Sequence, residues 1–212
     1  MIVAIDTAGP WVCVASGDPG GTASGLRRDA EANHNEMLPG LVSEAIHSTM
    51  GSPSVLAVTV GPGSFTGTRV GVAFVAGWSQ SLGVKVLPVS TFELAAGLAD
   101  PSVGRVKVAL PLVRGNWGVS ELTYTEGRWR EGDWGELSTA ELVAARRGNL
   151  LVCPWGDFPA DLVAPREWNP AASLLLLAGV APPSALVSPR QLSVRYLGTC
   201  QAERRFHARQ TR

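Results

Sequence analysis

The stretch GPGSFTGTRVG, residues 61–71, follows directly on the apolar run VLAVTV of residues 55–60. Glycines and hydroxyls straight after a strand-like run mark a tight turn into a helix, and two uses of such a turn compete. Backbone amides at a helix N-terminus attract anions, and Gly61, Gly63, Ser64 and Thr66 would let one approach. The other use is packing: Gly67 and Gly71 form a small-residue face along which another backbone can come close. A phosphate loop wants GxxxxGK[ST], and this stretch has no lysine and no glycine at the required offset. The dinucleotide fingerprint fails as well, because Thr66 stands where its third glycine belongs. The preferred reading is a helix start made for close packing, with any anion secondary.

The pattern around this turn sets the fold class. Ile2 to Asp6 is a short apolar run rich in β-branched residues, and Trp11 to Ala15 is a second one after the turn AGP. The GDPGG turn at 17–21 leads to a weaker third strand near Thr22 to Arg27, so an antiparallel meander is expected. Between Asn33 and Met50 the period changes. Leu38, Leu41, Val42, Ala45, Ile46 and Thr49 fall on one helical stripe, with Asn33 or Asn35 to cap the start and Gly51 the end. Pro39 should then lie close to the first turn. Val55 to Val60 is a fourth strand. A helix apolar nearly all round, Thr66 to Leu82, follows, with Gly83 ending it and Val84 to Val89 as a fifth strand.

Three antiparallel strands followed by helix, strand, helix, strand is the order of an α/β, ribonuclease H-like lobe, also the half-unit of actin-like ATPases. The expected domains are 1–100 for this lobe, 101–198 for a smaller second lobe and 199–212 for a flexible Arg-rich tail, with a tRNA-contacting arm as its alternative. In the second part, a helix is expected at Phe92 to Leu98, strands at Val106 to Val113 and Gly118 to Tyr124, a short helix at Thr139 to Arg146, and a strand at Leu150 to Cys153. Asn169-Pro170 should start the helix AASLLLLAG.

Composition narrows the function classes. Eighteen basic and eighteen acidic residues give a formal net charge of zero, which argues against nonspecific nucleic-acid binding. Cys13, Cys153 and Cys200 are scattered, without CxxC or zinc spacing, as suits a reducing compartment. No apolar run reaches the roughly 18 residues that span a bilayer, and Met1 leads straight into a strand-like run, so a cytoplasmic protein without membrane contact is expected.

Catalytic equipment is scarce. A ribonuclease H-like nuclease needs several carboxylates around metal ions; Asp6 and Glu36 or Glu44 could serve, but Thr59-Val60-Gly61 ends the fourth strand with no acid. An actin-like kinase needs two phosphate turns. IDTAG at 5–9, with Asp6 and Thr7, could be one, whereas VALPLVRGNW at 108–117 offers no acid for the other and Gly156-Asp157 stands alone. His34 and His47 are thirteen residues apart, not three or four, so no metal site is expected and His34 reads as a helix-start or surface residue. There is no GxSxG and no Cys/His pair with local context. A peptidase would need a nucleophile or metal cluster that is missing. No catalytic residue and no cofactor is assigned, and the balance points to an interaction protein.

The segments MIVAIDTA at 1–8, NHNEMLPGLVSEAI at 33–46, the run from VTVGPGSFTGTRVG through STFELAA at 58–96, and VRYLG at 194–198 resemble the bacterial TsaB family. Its members are catalytically degenerate paralogues of the carbamoyltransferase TsaD, which acts in making N6-threonylcarbamoyladenosine at position 37 of certain tRNAs. The resemblance is nearly continuous over residues 1–98 and sparse beyond residue 100. It implies an actin-like two-lobe fold with a reduced second lobe and a non-catalytic role. It also implies pairing with a TsaD-like enzyme and work with a TsaE-like ATPase, self-association as a homodimer when alone, and contact with tRNA only through the complex. The pairing surface in the family is its first two helices, which here implicates Leu38, Leu41, Val42, Ala45, Gly67, Val70, Gly71, Phe74 and Trp78. The histidine pair that binds metal in TsaD is not present; only His34 stands in its place. The alternative function is a nucleotide-binding ATPase or small-molecule kinase using a cleft between Asp6 and Gly61–Gly67. The family's Asp-Ala-Arg and Pro-x-Tyr-Leu-Arg signatures are only partly kept, as Leu112-Val113-Arg114 and Ser193-x-x-Tyr196-Leu197-Gly198.

Overall fold

The computed structural model describes residues 1–19, 24–30, 33–47, 49, 51–112, 115–145, 150–156 and 160–197. Several expectations lie outside the described residues: the strand start at Thr22, the helix end at Arg146, Val113, Arg114, Asp157, Gly198 and the basic tail.

The first sheet has the order β3-β2-β1-β4-β5. Its members are β1 (Ile2–Asp6), β2 (Trp11–Gly17), β3 (Ser24–Asp29), β4 (Val55–Thr59) and β5 (Lys85–Val89). The first three form the antiparallel meander, and β4 and β5 add in parallel to β1. β1 and β2 are buried along their whole length, the signature of strands covered on both faces. One face packs on α1 (His34–His47) and α2 (Phe65–Leu82), where Val3, Ile5, Val12, Val14, Leu38 and Val75 meet. The other face packs on α5 (Pro170–Val180), through Ala4, Cys13, Ala57 and Leu174. α5 starts as its sequence asks: the Asn169 side chain accepts the amides of Ala171 and Ala172, and Pro170 needs no partner.

The second sheet has the order β10-β9-β6-β7-β8. It consists of β6 (Arg105–Pro111), β7 (Asn116–Thr125), β8 (Arg128–Ser138), β9 (Leu150–Cys153) and β10 (Leu162–Val163). Numbered from its own start, this is the order of the first sheet again, with three antiparallel strands and two parallel additions. α3 (Thr91–Ala96) covers one face with Phe92 and Ala95, and α4 (Thr139–Ala145) the other with Leu142. A capping box opens α3: Ser90 accepts from the Phe92 amide, and the Glu93 carboxylate accepts the Ser90 amide.

Three expectations change. β8 adds a strand where the sequence suggests no element: RWREGDWGELS is rich in charge, yet it is the outer strand of its sheet, where the exposed face tolerates charge. Pro39 lies inside α1, five residues after its first residue, His34, and not in the first turn. The helix begins earlier than the apolar stripe suggests, because the Asn33 carbonyl already accepts the amides of Glu36 and Met37. His34 does start the helix but is buried rather than on the surface.

Candidate functional site

Strand β1 delivers Asp6 to the carboxyl edge of the first sheet, where α/β folds place their ligands. Asp6 is buried there, and the indole Nε1 of Trp11 donates to its Oδ2 at 3.1 Å. Burial pushes its carboxyl above the usual carboxylate range, opposed by Thr59, Trp11 and the Ala8 amide. The Trp11 ring is itself enclosed. Trp155 and Trp168 stand edge-on to it, with centroids at 5.6 and 6.0 Å. The Arg27 guanidinium lies 4.1 Å over its face and donates to the carbonyls of Arg166 and Trp168. Trp155 and Trp168 come from the second half of the chain, so the acid of the first half is sealed by aromatic rings from both.

The turn before α2 is used up by the chain's own groups. Ser64 caps the helix, its Oγ accepting the Gly67 amide at 3.1 Å, while its own amide donates to the Ala8 carbonyl at 2.7 Å. Gly61 has φ +96°, a conformation that favours glycine, and the Arg195 carbonyl lies where a Cβ would stand. Its carbonyl accepts the Thr91 amide. Of the six anion candidates, Asp6, Thr7 and Gly61 are buried, Ser64 is half-buried and engaged in the cap, and Gly63 and Thr66 are exposed. The Thr7 hydroxyl donates to the Gly67 carbonyl at 2.7 Å, pinning the β1–β2 turn to α2.

That pin corrects the reading of the helix surfaces. Gly67 and Gly71 do admit a close backbone, but it is the chain's own: a Cβ at Gly67 would meet the Thr7 carbonyl, and one at Gly71 the Thr7 hydroxyl. Leu38, Leu41, Val42 and Ala45 are likewise buried in the core beneath α1. An apolar stripe on a helix names the face that hides from water, and here the sheet covers it. Val70, Phe74 and Trp78 differ, since they are only half-buried. They run at four-residue spacing along one flank of α2, against the edge of the core, whereas Thr66, Arg69, Ala73 and Gly77 line the face turned away from the sheet.

Sequence reasoning missed a cluster at the head of that face. Phe65 and Tyr196 are exposed aromatics, with centroids 5.6 Å apart, and Arg69 lies over the Phe65 ring. The only signal was the motif VRYLG, which pairs with no helix by spacing alone. Beside it, a cleft of about 250 Å³ is lined by Val60, Ser90, Glu93 and Arg195 among others. Arg195 in its wall grips Glu131 through two bonds of 2.8 and 2.9 Å, and burial raises the Glu93 carboxyl. Neither ring nitrogen of His34 has a hydrogen-bond partner, and among the described residues no three His, Cys, Asp or Glu groups gather as for a metal. No helix among the described residues is long and apolar enough to cross a membrane.

Solved structures with the same fold exist. YeaZ from Pseudomonas aeruginosa is similar with a TM-score of 0.72 at 22% identity, over 92% of this chain and 99% of that one. A protein described as uncharacterized with similarity to peptidase YEAZ from Pseudomonas aeruginosa gives 0.72 at 20% identity, over 93% and 99%. The family model of TsaD, tRNA N6-adenosine threonylcarbamoyltransferase, matches residues 27–108, from β3 through α1, α2 and α3 into β6. The chain thus has the actin-like α/β fold of YeaZ, and both findings agree with the TsaB resemblance seen in its sequence.

Proposed function

We propose that this chain is a TsaB-type, non-catalytic partner of a TsaD-type carbamoyltransferase in forming N6-threonylcarbamoyladenosine at position 37 of tRNA. YeaZ is a TsaB protein, and the agreement in fold over nearly both whole chains supports the assignment. One contrast within the molecule carries the reading: the cleft beside Asp6 is sealed, while α2 turns a half-apolar stripe outward. Asp6 is bonded to an indole and enclosed by Trp11, and the α2 cap belongs to Ser64. Val70, Phe74 and Trp78 run in line along α2, packed on one side against the first core and still partly open to solvent. Such a surface suits association with another helical face. On this reading the carbamoyl transfer belongs to the partner, a TsaE-type ATPase joins the pair, tRNA meets this chain only through the complex, and the chain alone self-associates through α2. The proposed lobes remain 1–100 and 101–198, with α5 crossing back to pack on the first sheet.

Light scattering coupled to size exclusion tests this, on the chain alone and mixed with the TsaD-type enzyme of the same organism. A homodimer that exchanges into a heterodimer is the expected result. A chain whose mass is indifferent to the enzyme would overturn it. The nucleotide alternative predicts a thermal shift with magnesium-ATP, since ligand at 100 times its Kd adds about 2.7 kcal/mol; no shift is expected.

A further inference from the structure

Arg69 is the single charged residue of α2, on a helix without any acid. It is held in a way few exposed arginines are. Its Cζ lies 3.8 Å from the Phe65 centroid and 5.4 Å from that of Tyr196, and its Nε donates to the Tyr196 hydroxyl at 2.6 Å. An exposed arginine normally loses much rotamer freedom when it binds. Here the stacking has already fixed the guanidinium plane, and Nε is engaged within the chain. The two Nη groups keep the planar fork that matches a carboxylate. The position matters as much as the geometry: Arg69 lies on the exposed face of α2 with Thr66, Ala73 and Gly77, and Val70 flanks it.

We propose that Arg69, held between Phe65 and Tyr196, is a preformed clamp for a carboxylate of the protein that docks on α2. That protein presents an Asp or Glu where it meets the exposed face of α2. The inference rests on the proposed function and names what the partner must offer at one point. A nucleic-acid backbone fits less well, because phosphates call for several cations and α2 supplies one.

Titration calorimetry of the full chain with the TsaD-type enzyme, at low and high salt, tests it. Arg69→Lys keeps the charge but loses the fork, and should weaken pairing about tenfold, as should Arg69→Ala. Tyr196→Phe should weaken it less, by freeing the guanidinium. Salt should weaken the wild type more than Arg69→Ala. Circular dichroism confirms that each variant is folded. Wild-type affinity in Arg69→Lys overturns the clamp, as does an unchanged salt response in Arg69→Ala. If Ala73→Glu abolishes pairing while the Arg69 variants bind normally, the proposed function stands and the clamp falls. If the wild type does not bind the enzyme, both fall. A loss confined to tRNA binding also overturns the clamp.

Discussion

In the first half of the chain, β3 is joined to β4 by the 14 residues of α1, and β4 to β5 by the 18 residues of α2. In the second half, α4 has 7 residues and β9 is separated from β10 only by positions 154–161. Both sheets nevertheless follow one strand order. A parallel crossover wants a dozen residues or more, usually helical, and the second half lacks them, so β10 shrinks to 2 residues. The difference teaches where function can sit. Among its described residues the second half has no helix between β9 and β10 to match α2. The first half keeps a long α2, whose inner face closes the Asp6 turn and whose outer face stays open.

If that division of labour is right, the inner face should be the least tolerant place in the molecule. Gly71→Leu drives a side chain into Thr7 and breaks the Thr7–Gly67 bond, so a loss of about 3 kcal/mol or more is expected in urea unfolding. A stable Gly71→Leu protein that merely fails to pair would mean that this glycine faces a partner after all. In the second half, α4 buries Leu142 alone. Leu142→Ala should cost about 2–3 kcal/mol, with hydrogen exchange rising in β6, β7 and β9 and little change in β1 or β4. Equal loosening of both sheets would show that the halves do not unfold separately.

How much of this was legible follows from the same comparison. Strands β1, β2, β4 and β5 and both long helices announced themselves, because burial on both faces writes apolar runs and stripes that one can count. Helix α5 was legible through Asn169-Pro170. The second half was harder: β8 carries Arg128, Arg130, Glu131, Asp133 and Glu136 on an outer strand, so its period-2 signal is submerged by charge. At the site, the turn GPGSFTGTRVG was read correctly as a close-packed helix start. What the glycines pack against was not, because Thr7 lies 60 positions from Gly67 and no local rule joins them. The enclosure of Trp11 by Trp155 and Trp168, and of Arg69 by Tyr196, are likewise long-range pairings that a single sequence does not encode locally.

The sealed cleft has its own pH signature. Asp6 has a folded pKa above its unfolded one, so between the ordinary carboxylate range and the raised value the folded state holds a proton that the unfolded chain has released. The unfolded state binds fewer protons in that window, and stability falls as pH rises through it. Asp6→Asn keeps an acceptor for Trp11 and removes the charge. It should be more stable than the wild type at pH 7, the difference vanishing towards pH 4. Chemical unfolding across that range checks it; a loss at pH 7 would show that an ionised Asp6 has a structural partner, and would reopen the cleft as a working site.

The smallest effect on stability is expected on the outer face, and it sharpens the comparison most. Ala73 is exposed in the middle of the outward stripe, between Val70 and Phe74 on one side and Gly77 on the other. Glutamate is a good helix former, so Ala73→Glu should change unfolding free energy by no more than about 0.5 kcal/mol. The same charge, pressed into an apolar contact without a partner, must be desolvated, and pairing should weaken at least about tenfold. The two faces of α2 then separate cleanly: Gly71→Leu destabilises the fold itself, whereas Ala73→Glu leaves the fold and removes association. If Ala73→Glu leaves both unchanged, the outward stripe is ordinary surface, and the partner must be sought on another element of the first half.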